Sequence, residues 1–126
     1  MSDIYIKNTG KYGRGVFALR QFKKGELIES TPVIILPGFE RRHIKKTKIS
    51  EYFFNWEKNN ESFAIALGYG SLYNHSYKPN AKFVNNLAKK TIDFYALTHI
   101  EEEEEIMVNY NGDPNDESKL WFEVIE

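Results

Sequence analysis

The chain has 126 residues, of which 41 % are hydrophobic and 28 % charged, with a net charge of −1; this is the size and composition of one soluble domain, spanning 1–126, with a modest core. It contains no cysteine, which excludes disulfides, thiolate zinc sites and a cysteine nucleophile. No apolar run is long enough to cross a bilayer and the opening MSDIYIKN lacks the layout of a signal peptide, so no membrane partner and an intracellular, reducing location are expected.

In chain order, Ile4-Tyr5-Ile6 reads as an opening strand, followed by the glycine-punctuated turn Thr9-Gly10-Lys11-Tyr12-Gly13-Arg14-Gly15 and a second strand, Val16-Phe17-Ala18. Lys23-Lys24-Gly25-Glu26 predicts a tight turn. Leu27-Ile28-Glu29 and Val33-Ile34-Ile35-Leu36 predict two strands, the second bounded by Pro32 and Pro37. Residues 38–61 change character and become polar, basic and partly helical in pattern. Phe63 to Leu67 reads as a strand, residues 69–81 as a long loop, and Phe83-Val84, Thr91 to Leu97 and Ile106 to Val108 as further strands. Leu120-Trp121-Phe122 forms an aromatic cluster that predicts burial. Many short strands with one mixed insert imply a mainly β fold.

Charge is unevenly placed. Residues 1–100 carry 16 Lys/Arg against 8 Asp/Glu, whereas residues 101–126 carry one Lys against 10 Asp/Glu. The acidic end can attract a basic peptide, or Glu101 to Glu105 can simply be a solvated loop and strand entry. The basic residues Arg41, Arg42, Lys45, Lys46 and Lys48 can touch phosphates or form a solvated face; they lack the interleaved aromatics of a base-stacking platform.

Three segments offer chemistry. Gly13-Arg14-Gly15 before an apolar strand is either a hairpin turn or a loop that lets backbone approach a ligand. It is not a dinucleotide fingerprint, since the third glycine and long helix are missing. Tyr73-Asn74-His75-Ser76, with Pro79-Asn80 after it, sits in a long loop and offers amide and imidazole groups, or else bonds its own backbone. Tyr110 ends an apolar strand, as a packed aromatic or as a catalytic hydroxyl.

Taken together and in order, these segments resemble the SET domain of protein lysine methyltransferases, above all the minimal forms found in large DNA viruses and bacteria. The stretches that carry the resemblance are Gly13-Arg14-Gly15-Val16-Phe17-Ala18, Lys24-Gly25-Glu26-Leu27-Ile28, Tyr73-Asn74-His75-Ser76-Tyr77-Lys78-Pro79-Asn80-Ala81 and Glu105-Ile106-Met107-Val108-Asn109-Tyr110. They span nearly the whole of residues 4 to 112. The resemblance implies a β-clip of small curved sheets with a C-terminal pseudoknot that brings His75 beside Tyr110. It makes residues 38–61 the variable insert and residues 113–126 the C-terminal closing segment. It implies S-adenosylmethionine as cofactor, held by Gly13, Arg14, Gly15, Tyr73, Asn74, His75 and Trp121. Tyr110 becomes the catalytic residue, and Tyr52, Tyr69 and Val108 the substrate-binding wall of a lysine channel.

Two departures carry expectations of their own. The position two before the catalytic tyrosine is often Phe or Tyr in the family, and here Val108 leaves room for more than one methyl. Cysteine-rich flanking segments common among relatives are missing, so residues 113–122 or a second subunit must close the channel; a homodimer would add burial to a small core. The expected partner is a protein with an accessible lysine, such as a histone tail, with nucleic acid not required. The location expected is cytoplasmic, or the nucleus of a eukaryotic cell or host where histone is the substrate. The alternative is a non-catalytic SET-like module that binds a basic peptide with its acidic end.

Overall fold

The computed structural model describes residues 2–57 and 62–120. Among them run nine strands: β1 (Ile4–Asn8), β2 (Arg14–Ala18), β3 (Leu27–Pro37), β4 (Phe53–Asn55), β5 (Ser62–Ala66), β6 (Asn74–His75), β7 (Ala81–Asn86), β8 (Thr91–Ala96) and β9 (Glu105–Val108). One short helix, α1 (Arg41–Ile44), lies between single 3-10 turns at Gly38–Glu40 and Lys48–Glu51. The strands form two sheets, of order β1-β2-β9-β6 and β4-β5-β3-β8-β7. The mainly β architecture with a partly helical insert agrees with the expectation from sequence.

The β1–β2 hairpin is closed by side-chain chemistry as well as by its ladder. The Thr9 hydroxyl donates to the Gly13 carbonyl at 2.8 Å and accepts the Lys11 and Tyr12 N–H groups. Gly13 has φ +88°, which a side chain at that position would disfavour. At Lys23 to Glu26 the expected tight turn is present, with the Glu26 N–H donating to the Lys23 carbonyl and Gly25 at φ +87°.

Where the sequence suggested two strands broken at Pro32, the chain is one 11-residue strand, β3. It changes partner midway: Leu27 to Pro32 pair with β8, and Val33 to Pro37 pair with β5. Pro32, which has no N–H to give, sits at the changeover, where a proline within a strand is tolerated. The insert likewise holds a strand that its polar composition hid. Phe53-Phe54-Asn55 adds β4 to the free edge of β5, and the aromatic pair is well suited to a pleated, half-buried surface.

The core is built from inward positions of the strands together with Phe22 and Ile100, which bridge to each other outside them. Val16, Phe22, Phe63, Ile92, Phe94, Ile100, Ile106 and Val108 are all buried. Tyr73 stacks on Phe94 with ring centroids 4.2 Å apart, and Phe54 meets Phe83 edge-on at 5.1 Å.

The feature that positions the site is a crossing near the C-terminus. β9 pairs antiparallel with β2, Val16 facing Ile106, and parallel with the two-residue β6, Asn74 facing Met107 and His75 facing Val108. A parallel pair this short needs reinforcement. Asn80 supplies it: its amide donates to the Glu105 carbonyl at 2.8 Å while its oxygen accepts the Met107 N–H at 2.9 Å. After β9 the chain folds back on itself. The Asn109 amide donates to the Asp116 carbonyl, and the Ser118 carbonyl accepts from both Tyr77 Oη and the Asn111 amide.

Candidate active site

Two consecutive residues of the long loop, Tyr73 and Asn74, join the two halves of the candidate site. The Tyr110 hydroxyl donates to the Tyr73 carbonyl at 2.6 Å. One residue on, the Asn74 amide donates to the Arg14 carbonyl at 2.9 Å and to Glu105 Oε2 at 2.8 Å. The glycine turn and the phenol of residue 110, 95 or more positions apart in sequence, are thus gripped by neighbouring residues at the start of β6.

His75 secures Tyr110 from the other side. Its Nδ1 accepts the Tyr110 backbone N–H at 2.9 Å, so that nitrogen carries no proton, and the two rings lie 5.2 Å apart. Burial is the main reason that the Tyr110 hydroxyl holds its proton to a higher pH than an ordinary tyrosine, with the charges of Tyr52 and Glu105 adding to it. The same holds for the Tyr73 phenol, first through burial and then through Glu29. Both are therefore neutral hydroxyls, donors rather than bases, across the physiological range.

A cavity of about 910 Å³ opens beside this phenol, lined by Tyr52, Phe53, Tyr73, Val108, Tyr110 and Gly112 among others. The sequence-predicted wall residues divide here. Tyr52 and Val108 line the cavity, with Val108 only 1 % exposed. Tyr69 is not among the lining residues; it packs against the core, and its backbone N–H donates to Glu29 Oε2. Gly13, Arg14, Gly15, Asn74 and His75 lie outside the cavity lining, and the first two are exposed. Trp121, predicted to pack near the cofactor, lies outside the described residues.

Gly15 is the glycine of the turn with least room. A Cβ there would run into the Glu105 carboxylate and sit 2.9 Å from the Asn74 amide. Gly15→Ala is expected to destabilise the fold by about 1–3 kcal/mol, as overpacking does; thermal melting checks this, and unchanged melting would show that the contact can relax.

Sequence reasoning missed the part played by Glu105. Its Oε1 accepts the Tyr12 hydroxyl at 2.7 Å and its Oε2 accepts the Asn74 amide, so it ties turn, loop and β9 together. It belongs to a run of five glutamates, of which Glu101 to Glu104 are exposed and Glu105 alone is half-buried. The strand register makes that selection, and a run of identical residues conceals it. Asn80 was visible only as part of the Pro79-Asn80 dipeptide, and Glu29 gave no signal because a polar residue in an alternating strand reads as solvent-facing.

Comparison with known proteins agrees with this geometry. Residues 13–111 match the model of the SET domain. A histone-lysine N-methyltransferase of Schizosaccharomyces pombe, specific for H3 lysine-37, is 34 % identical over 123 residues, covering 97 % of this chain and 78 % of the relative. The crystal structure of a Plasmodium falciparum protein described as a candidate histone methyltransferase superposes with a TM-score of 0.67 at 30 % identity, covering 87 % of this chain and 94 % of that one. With the ordered motifs, the matched span and the shared fold in agreement, this chain belongs to the SET family of protein-lysine methyltransferases.

Proposed function

We propose that the chain moves a methyl group from S-adenosylmethionine to the side-chain amine of a lysine in a histone or another basic protein, and that it can add more than one. The observation that carries this is the Tyr110 hydroxyl, fixed by the Tyr73 carbonyl at 2.6 Å at the wall of the cavity while Asn74 holds the glycine turn behind it. The H3 lysine-37 specificity of the S. pombe relative makes a histone tail the first substrate to test.

The cofactor fits the residues present. Gly13 and Arg14 offer exposed backbone without a Cβ at residue 13, and the Asn74 amide is fixed beneath them by two acceptors. Gly13, Arg14, Gly15, Tyr73, Asn74 and His75 would hold it, with Trp121 added by family resemblance. When bound, S-adenosylmethionine supplies an electrophilic methyl on a sulfonium.

What the chain itself must do is deliver a neutral amine in line. A free lysine is protonated, with a pKa of about 10.4. Tyr52, Phe53, Phe54 and Phe83, the aromatic part of a cavity that Arg41, Glu51 and polar side chains also line, disfavour the ammonium form by desolvation. No strong base is then needed, and orientation supplies most of the rate. Tyr110 supplies that orientation as a neutral hydroxyl. Its raised pKa predicts a kcat/KM that climbs with pH up to about 10, following deprotonation of the free substrate, with no descending limb from Tyr110 below that. A fall in kcat/KM between pH 8 and 9 on a stable enzyme would contradict this.

Val108 bears on how many methyls fit. It lines the cavity two residues before Tyr110 and is a small side chain there. Val108→Phe is expected to shift the product toward monomethyl-lysine, whereas the unaltered chain proceeds to di- or trimethyl-lysine. Mass spectrometry at completion distinguishes the two; a strictly monomethyl product from the unaltered chain would reject the multiple-methylation assignment.

The direct test is label transfer from radioactive S-adenosylmethionine to purified histones and to other lysine-rich proteins. Incorporation into lysine is the expected result, and absence of cofactor binding would support a non-catalytic module instead.

A further inference from the structure

Glu29 lies on β3, in the larger sheet, one residue past the Lys24–Ile28 stretch. Its carboxylate nonetheless reaches the candidate site with both oxygens. Oε1 accepts the Tyr73 hydroxyl at 2.7 Å, and Oε2 accepts the Tyr69 backbone N–H at 3.1 Å. We propose that Glu29 is a positioning residue for methyl transfer: it staples both ends of the 69–73 segment and so sets where the Tyr73 carbonyl holds the Tyr110 hydroxyl. This rests on the methyltransferase function proposed above.

The segment it staples is part of the site. Gly70, Ser71 and Tyr73 line the cavity, and the Tyr73 carbonyl is the acceptor for Tyr110 Oη. The fit around the staple is close. Gly68 has φ +60°, and a Cβ there would lie 2.7 Å from Glu29 Oε2. A Cβ on Gly70 would lie 2.6 Å from the Ala66 side chain and 3.0 Å from the Thr31 hydroxyl. Bare backbone at both positions lets the segment close down on the carboxylate and on β3.

The residue type also matters. A buried tyrosine hydroxyl could be satisfied by any single acceptor, such as a backbone carbonyl or a serine. Two donors from two points of one segment call for a side chain with two acceptor oxygens on one rigid plane. Tyr73 itself is 2 % exposed and its ring is stacked on Phe94, so the carboxylate is tied through a rigid body to the carbonyl on the same residue. Methyl transfer depends on alignment, and a displacement of about 1 Å in a positioned group can cost on the order of a hundredfold in rate.

The test is steady-state kinetics on a lysine-bearing histone substrate for Glu29→Ala, Glu29→Gln, Tyr110→Phe and the double variant Glu29→Ala/Tyr110→Phe. Removal of the staple is expected to lower kcat about tenfold or more, within the range for a misplaced group, while KM for the protein substrate stays within about twofold. Glu29→Gln, whose oxygen can still accept the Tyr69 N–H while its NH2 meets the Tyr73 hydroxyl, should lose less than Glu29→Ala. In the Tyr110→Phe background Glu29→Ala should cost less than about twofold, because its route to the chemistry is already gone; residues acting on one unit are non-additive in this way. A stability role alone would lower the melting temperature and leave kcat of the folded fraction intact.

The proposal is overturned if kcat of folded Glu29→Ala equals wild type, or if its cost is the same with and without Tyr110. Should Glu29→Ala fail to fold, Tyr73→Phe carries the comparison by removing the hydroxyl that meets Glu29 Oε1, with Glu29→Gln beside it as the conservative variant. An inactive wild type would sink the methyltransferase function and the staple with it; an active wild type beside unaffected Glu29 variants would sink the staple alone.

Discussion

Replacing Tyr110 by Phe is expected to lower kcat about 100-fold, equivalent to about 2.7 kcal/mol of transition-state stabilisation, with KM for the protein substrate little changed. Only one oxygen is lost. That oxygen donates to the Tyr73 carbonyl at 2.6 Å, on a half-buried residue at the cavity wall. Because burial keeps the phenol protonated, the loss cannot be attributed to a missing negative charge. The Tyr110 backbone bond to His75 Nδ1 is untouched, so the ring should stay in place. The substitution should cost stability by only about 1 kcal/mol, the net worth of an ordinary hydrogen bond. Kinetics and a thermal melt on the same preparation separate the two effects. Full activity in the variant would remove Tyr110 from its assigned role.

Asn74→Ala should act on the other half of the site. It deletes two hydrogen bonds, to the Arg14 carbonyl at 2.9 Å and to Glu105 Oε2 at 2.8 Å, and leaves the Glu105 carboxylate with the Tyr12 hydroxyl as its remaining partner in this cluster. A hydrogen bond to a charged group contributes about 1.5–3 kcal/mol. With one anchor of the glycine turn removed, the function proposed above implies that the dissociation constant for S-adenosylmethionine should rise at least about tenfold, or 1.4 kcal/mol. Saturating cofactor should restore much of kcat, in contrast to Tyr110→Phe. Titration calorimetry with the cofactor checks the first expectation. Unchanged affinity would mean that the turn holds its shape without Asn74.

The fold class was legible because β-branched and aromatic residues fall in short runs punctuated by glycine and proline, and this pattern needs no tertiary information. The strand breaks were less so. Pro32 reads as a boundary locally, yet β3 continues through it because the strand changes partner there, which is a property of the assembled sheets. Phe53 to Asn55 was hidden in a polar insert for the same reason: its strand character comes from pairing with β5.

At the site, Tyr110, Asn74 and His75 could be singled out because their residue types and order are distinctive. Tyr52 and Val108 could be placed at the channel only through family resemblance, and both line the cavity. Tyr69 did not follow, since a tyrosine in a loop can turn either way and this one packs on the core. Glu29 and Glu105 were illegible as site residues. Their importance lies in which donors they meet across 40 and 31 positions of chain, respectively, and no local pattern encodes such a meeting.

The measurement closest to the central claim is tandem mass spectrometry of purified histones incubated with this protein and S-adenosylmethionine, run beside the Tyr110→Phe variant. The expected result is methylation confined to lysine side chains, reaching di- or trimethyl-lysine and reduced about 100-fold in rate by the substitution. Methylation at the same rate by both proteins, or none by either on histones and other lysine-rich proteins despite bound cofactor, would contradict it.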